Sequence, residues 1–129
     1  MSGRKRSPSA VNGTYHWRVT EAGAHAAARA VGASPHADDE DIDTVGKMTL
    51  RDGKWRMGDT DPEEYSGTYE IVGNRLVFDW AGEILTFEFV REGDGTIQLE
   101  PLPPMNPGDA VVWAGASWRR VGPPVRDIP

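Results

Sequence analysis

Aromatic side chains are the residues of this chain best suited to contact a ligand. Its 129 residues include five tryptophans, three tyrosines and three phenylalanines. Rigid rings give a large contact area and the Trp N–H can orient a ligand, so a cluster of rings favours a pocket for an apolar or aromatic molecule. The candidate ligand-binding residues are Trp17, Trp55, Tyr69, Phe78, Trp80, Phe87 and Trp113. The same rings could equally fill a hydrophobic core, and the sequence leaves both interpretations open.

Ionisable residues give a weaker signal for catalysis. Side chains alternate between the two faces of a strand, so Asp79 and Glu88 are expected on the outer face of their strands. His16 has a reference pKa suited to proton transfer, but alternation places it on the face opposite Tyr15 and Trp17. We therefore interpret it as a surface histidine, and no residue receives a catalytic role.

Metal-ligating patterns are incomplete. The run Asp38–Asp43 holds five acids in six residues but lacks the glycine and the distal glutamate of a calcium loop, which favours a solvated acidic loop. His25 and His36 have no second histidine at ligand spacing, and the chain has no cysteine. The sequence predicts no metal site and no cofactor.

Composition limits the partners and the location. A net charge of -6 argues against nucleic acid as a main partner, because phosphate binding needs clustered Lys and Arg. No apolar run approaches the roughly 18–20 residues that span a bilayer. The basic N-terminus is not followed by the apolar segment of a secretion signal. We expect either a cytoplasmic protein or a mature domain cut from a larger one, and in both cases a partner that is a small apolar or aromatic molecule.

Turn signals show how the rings are positioned. Asp52-Gly53, Gly73-Asn74 and Ala81-Gly82 suit the left-handed conformations of two-residue hairpins, and residues 92–95 form a further turn. Between them lie short aromatic-rich segments that predict strands: Thr44–Arg51, Lys54–Met57, Tyr65–Val72, Arg75–Trp80, Glu83–Arg91 and Thr96–Pro101. Further strands are expected at residues 14–19 and 117–121, and the first of these precedes a helix that Thr20 caps and Gly32 ends.

These elements predict an all-β fold: an antiparallel up-and-down barrel of about eight strands with one short helix between strands 1 and 2. Pairing of the last strand with the first would close the barrel and remove its edges. Residues 13–121 form the barrel domain, preceded by a disordered basic arm (1–12) and followed by a flexible tail (122–129). Residues 109–114 fit either a helical turn capped by Asp109 or a strand.

Two sequence patterns resemble known families. Gly13–Trp17 (GTYHW) and Trp118–Arg120 (WRR) resemble motifs of the calycin-like barrels, the lipocalins and fatty-acid-binding-protein-like domains, in which a first-strand Trp often lies under a basic residue that seals the closed end. The segments 67–80 and 105–113 resemble a conserved-hypothetical actinobacterial domain type that is sometimes attached to solute-binding transport proteins. Both resemblances imply ligand binding, and Trp118 becomes the candidate for closing one end of the barrel.

Three functions are compatible with these patterns. The first is a small-molecule-binding β-barrel for an apolar or aromatic ligand. The second is a cyclase or isomerase of bacterial secondary metabolism on the same barrel, which would act by holding a reactive conformer. The third is a structural or interaction domain whose core is filled. An empty, aromatic-lined cavity inside the barrel would favour the first two functions, and a packed interior would favour the third.

Overall fold

Strands arranged around an aromatic core make up most of the protein, for which a computed structural model describes residues 5–33, 42–58 and 65–124. In these ranges the strands are β1 (Lys5–Arg6), β2 (Gly13–Arg18), β3 (Val45–Arg51), β4 (Lys54–Met57), β5 (Ser66–Val72), β6 (Arg75–Trp80), β7 (Glu83–Arg91), β8 (Ile97–Pro101) and β9 (Arg119–Gly122). The helices are α1 (Glu21–Ala30) and α2 (Pro107–Ala114), and a short 3-10 turn spans Pro8–Val11.

The sheet follows the chain order. Its strands are hydrogen-bonded in the order β8-β7-β6-β5-β4-β3-β2-β9, and each pair is antiparallel. The short β1 lies off this path and pairs with β5. The prediction of an all-β, up-and-down antiparallel barrel of about eight strands is confirmed.

The two ends of the sheet meet, so the barrel is nearly closed. β9 pairs with β2 through Tyr15 opposite Arg120 and His16 opposite Arg119, which confirms the expected pairing of the last strand with the first. Immediately before β9, Trp118 exchanges two backbone hydrogen bonds with Ile97 of β8, of 2.8 and 2.9 Å. This single residue pair joins the last strand of the meander to the closing strand.

Alternation along the strands places the rings inside, as expected. In β6, Leu76 and Phe78 are fully buried, and in β7 Phe87 is fully buried while Ile84 on the opposite face is 51% exposed. Asp79 is half-buried on the outer face of β6, where its Oδ1 accepts a hydrogen bond of 2.9 Å from the Gly82 N–H of the following turn. It therefore has a structural role in the β6–β7 turn.

The N-terminal segment differs from the expected disordered arm. β1 pairs with the end of β5, and the 3-10 turn Pro8–Val11 packs against β3 and β5. The buried hydroxyls of Tyr15 and Tyr69 donate to the carbonyls of Val11 and Pro8, at 2.6 and 2.8 Å. A buried hydroxyl needs a hydrogen-bond acceptor, and here the backbone of the N-terminal segment supplies it. The composition of that segment, rich in Ser, Pro and basic residues, does not reveal this role. The 3-10 turn closes the end of the barrel where the β3–β4 and β5–β6 hairpins lie.

The first helix matches its prediction closely. Thr20 caps α1, its Oγ1 accepting a hydrogen bond of 3.0 Å from the Gly23 N–H, and Gly32 follows the helix with a φ of 82°. Its buried face consists of alanines, so the helix lies close to its neighbours. A Cβ at Gly23 would collide with the Gly115 carbonyl, so glycine is required where α1 meets the residue that follows α2.

Residues 109–114, which fit either a helical turn or a strand by sequence, belong to a second helix. α2 is capped by Asn106, whose Oδ1 accepts a hydrogen bond of 2.8 Å from the Gly108 N–H, and it begins at Pro107. The cap expected at Asp109 is therefore wrong: Asp109 lies in the first turn of the helix. Asparagine followed by proline is a typical helix start, because the cap satisfies an exposed N–H and proline needs none.

Several sequence predictions lie outside the described residues. They include most of the acidic run Asp38–Asp43, of which only Ile42 and Asp43 are described, and the tail from residue 125.

Candidate functional site

Trp113 occupies the centre of the barrel. It extends from α2 and its ring centroid lies 5.0 Å from Phe78 and 5.2 Å from Trp55, both in edge-to-face geometry. It is also stacked on Phe87, at 5.8 Å and an interplanar angle of 15°. These four predicted site residues therefore contact one another, with Trp113 as the ring that α2 inserts between the strands.

A second aromatic stack lies between β2 and β9. Trp17 stacks on Trp118 with centroids 4.7 Å apart, and its Nε1 donates to the Val112 carbonyl of α2 at 2.9 Å. Gly46 lies opposite Trp17 on β3, and a Cβ there would collide with the indole. Trp118 in turn donates to the Trp113 carbonyl at 2.7 Å. The two tryptophans thus fix α2 to the barrel wall. Trp118 was expected to close one end of the barrel, but the closed end, where the β3–β4 and β5–β6 hairpins lie, is covered by Pro8–Val11.

Tyr69 serves the hairpin end of the barrel. Its hydroxyl donates to the Pro8 carbonyl, and burial raises its pKa to about 12. Burial also raises the pKa of Tyr15, although the nearby Arg120 and Arg91 guanidiniums oppose the shift. Both phenols are therefore neutral hydrogen-bond donors at physiological pH, and neither is placed to act as a base.

The interior rings fill the space that they enclose. Of the seven predicted site residues, six are at most 5% exposed, and the seventh, Trp80, is half-buried. Rings in mutual contact at these distances fill the core, so a ligand among Trp55, Phe78 and Phe87 would have to displace them. Trp17 borders one open cleft on the surface, and Trp80 and Trp113 border a different one.

This cleft lies at the end of the barrel opposite the 3-10 turn, and we call it the mouth cleft. It has a volume of about 480 Å³ and lies between the ends of β4, β5, β6 and β7 and the first turns of α2. Its lining residues are Met57, Tyr65, Trp80, Glu83, Asn106, Gly108, Asp109, Val112 and Trp113. That volume is within the ordinary range for small-molecule sites.

Aromatic rings form one wall of the mouth cleft. The ring centroids of Tyr65 and Trp80 are 5.5 Å apart and the ring planes are tilted by 43°, so the two rings are in contact. Trp80 is supported from behind by Trp55, edge-on at 6.1 Å, and by Trp113 at 6.5 Å. The packed interior therefore holds the exposed part of this wall in place.

Two carboxylates also line the mouth cleft. Glu83 begins β7 and is exposed, whereas Asp109 in the first turn of α2 is half-buried. Burial raises the pKa of Asp109, and the nearby Glu83 carboxylate raises it further. Within the described ranges neither carboxylate has an ion-pair partner. Glu83, Asp109, Tyr65 and Asn106 were not among the residues predicted from the sequence.

Other sequence candidates remain apart from the mouth cleft. His16 borders a different surface cleft with Trp17, Arg18 and Arg119. Across residues 5–33, 42–58 and 65–124, no three His, Asp or Glu side chains are grouped so that they could hold a metal ion. None of the helices in those ranges has the length and apolar character needed to cross a membrane.

Comparison of the chain with protein-family models, with curated proteins and with solved structures finds no match. The strand order, register and side-chain geometry described above are therefore the basis for any statement about function.

Proposed function

We propose that this protein is a calycin-like binding barrel for a small apolar or aromatic molecule, and that the ligand binds in the mouth cleft. The proposal moves the expected site from the interior to the end of the barrel. Of the predicted residues it keeps Trp80 and Trp113 as contacts. The other five rings, Trp17, Trp55, Tyr69, Phe78 and Phe87, become the support that holds those contacts in place.

The observation that carries the proposal is the half-buried Trp80 beside Tyr65 over a cleft of about 480 Å³. Exposure of apolar indole surface to water is unfavourable, and a flat apolar ligand would cover that surface. Because Trp80 is already held by Trp55 and Trp113, little ordering is needed on binding, which favours affinity.

One observation favours a second function, a structural or interaction domain. The interior rings are buried and in mutual contact, as in a core that serves stability alone. In that case the mouth cleft would bind no small molecule. A cyclase or isomerase that acts by holding a reactive conformer is compatible with the same cleft, whose charged or titratable side chains in the described part are Tyr65, Glu83 and Asp109.

Replacing Trp80 tests the proposal. Trp80→Leu keeps an apolar side chain at the rim but removes the ring face, and we expect about a tenfold loss of affinity for an aromatic ligand. Affinity is measured by the shift of backbone and indole N–H signals in NMR titrations with a library of small aromatic and apolar compounds. Tryptophan fluorescence quenching provides a second readout.

Ile84→Ala is the matched control, because Ile84 is 51% exposed on the outer face of β7 and should leave binding unchanged. The proposal is contradicted if no compound shifts signals at the mouth cleft, or if Trp80→Leu and Ile84→Ala bind the same compound as tightly as the unmodified protein.

A further inference from the structure

We propose that the mouth cleft selects positively charged aromatic ligands, such as aryl-alkyl amines or quaternary ammonium compounds. This ligand class rests on the proposed function, since it assumes that the cleft binds a small molecule. It adds that charge as well as shape decides which molecule binds.

The charged side chains in the described part of the cleft lining are all of one sign. Glu83 and Asp109 approach the cleft from β7 and α2, and the described lining contains no Lys, Arg or His. Burial raises the pKa of Asp109, and the negative charge of Glu83 raises that pKa further by repelling the Asp109 carboxylate. A ligand cation between them would remove this repulsion, whereas a ligand anion would increase it.

The aromatic wall offers the same preference. A cation within about 6 Å of the centroid of a Trp or Tyr ring is attracted to the negative face of the ring, and tryptophan binds most strongly. Tyr65 and Trp80 contribute two such rings to the same lining that holds the carboxylates, and Glu83 is the cross-strand partner of Trp80. A cation in the cleft would therefore have both aromatic rings and carboxylates among its neighbours.

The start of α2 is the one feature of the cleft that favours an anion, since unpaired N–H groups at a helix N-terminus attract negative charge. Here two groups of the protein itself already interact with the N-terminus of α2. Asn106 accepts the Gly108 N–H, and the Asp109 carboxylate lies in the first turn, where it interacts favourably with the helix dipole. Among the described residues, the charged side chains that line the cleft are these two carboxylates, Glu83 and Asp109.

The pH dependence of binding follows from the groups that face Asp109. Because burial and Glu83 raise the pKa of Asp109, a bound cation would lower that pKa by stabilising the carboxylate. The affinity for a cation should therefore fall as acid protonates Asp109, while the affinity for a neutral ligand should not. Tyr65 is the other titratable residue of the lining.

Three probes that share a phenyl ring and differ in charge test the inference: benzyltrimethylammonium, 2-phenylethanol and phenylacetate. Affinities come from NMR titrations of the full chain, followed at the Gly108 and Asp109 amides and the Trp80 indole N–H. We expect the ammonium compound to bind about fivefold more tightly than the alcohol, and phenylacetate to bind most weakly.

Carboxamide variants assign the preference to the carboxylates. Asp109→Asn and Glu83→Gln should each reduce the preference for the cation and leave binding of 2-phenylethanol intact. Glu88→Gln is the matched control, because Glu88 lies on the same strand as Glu83 but borders a different surface cleft. Its preference should equal that of the unmodified protein.

The possible results separate this inference from the function on which it rests. Equal binding of the alcohol and the ammonium compound at the mouth cleft would overturn the charge preference and keep the binding function. A preference that survives in both carboxamide variants would also overturn it. Absence of binding by all three probes and by the wider library would contradict the proposed function itself.

Discussion

Single side chains hold the two ends of this barrel, and their chemistry differs between the ends. At the hairpin end, the tyrosine hydroxyls of Tyr15 and Tyr69 bind carbonyls of the 3-10 turn. At the mouth, indole N–H groups of Trp17 and Trp118 bind carbonyls of α2. In each case a barrel ring reaches a backbone acceptor that a plain hydrocarbon core could not bind, so the closing segments are held in a defined position.

Removing one of these hydroxyls tests the closure at the hairpin end. Tyr69→Phe leaves the partly buried Pro8 carbonyl without its donor and should lower the free energy of unfolding by about 1 kcal/mol. In the parent protein the pKa of Tyr69 is about 12 in the folded state and near 10 in the unfolded state. The contribution of the neutral phenol to stability is therefore fully present below about pH 10. That contribution is lost as the pH rises towards 12.

Urea unfolding of the variant and the parent between pH 7 and 11 provides the measurement. Tyr65→Phe, a substitution at the rim of the mouth cleft, is the control and should change stability by less than about 0.5 kcal/mol. Equal stability of Tyr69→Phe and the parent protein would show that the hydrogen bond to Pro8 is unimportant.

Turns and caps are the elements that sequence reading recovered best. Asp52-Gly53 and Ala81-Gly82 adopt positive φ at both positions, as their composition predicts for two-residue hairpins. Period-two alternation correctly assigned inner and outer faces in β6 and β7, since one face of these strands is buried. The start of α2 differs from the expected cap at Asp109, although Asn106-Pro107 is itself a readable signal for the start of a helix. The 3-10 turn had no such signal: its stability comes from contacts with Tyr15, Tyr69 and β3, which are distant in sequence.

The β6–β7 turn contains a position where the sequence does not have the best residue. Ala81 has a φ of 53°, a left-handed conformation that costs an alanine about 1–2 kcal/mol and that asparagine tolerates better. Ala81→Asn should therefore raise the free energy of unfolding by about 0.5–1 kcal/mol. The measurement is the midpoint of urea unfolding, compared between variant and parent at equal m-value.

Gly82→Ala is the opposite control for this turn. Gly82 has a φ of 92°, and a Cβ there would meet nothing within 4 Å, so its cost is conformational only. This variant should be destabilised by about 1 kcal/mol. If Ala81→Asn were as destabilising as Gly82→Ala, the assigned turn geometry would be wrong.

At the scale of the whole molecule, a closed barrel with a filled interior places any small-molecule site at an end. The sequence predicted the barrel and its rings, because hydrophobic alternation and turn signals are local. It did not predict the mouth cleft, because Tyr65, Glu83 and Asp109 belong to three distant segments that only the closure of the barrel and the seating of α2 bring together. Nor could the number of rings decide between a cavity and a core, since that depends on how completely Trp113 fills the space between the strands.

The measurement that tests the central claim most directly is the set of intermolecular NOEs between a bound aromatic ligand and assigned side chains of the protein. If the ligand lies in the mouth cleft, its protons will show NOEs to the Val112 methyl groups, to Met57 and to the Trp80 ring. NOEs to Leu76, Phe78 or Leu85, which are at most 1% exposed inside the barrel, would contradict the account, because they would require the ligand to enter the packed interior.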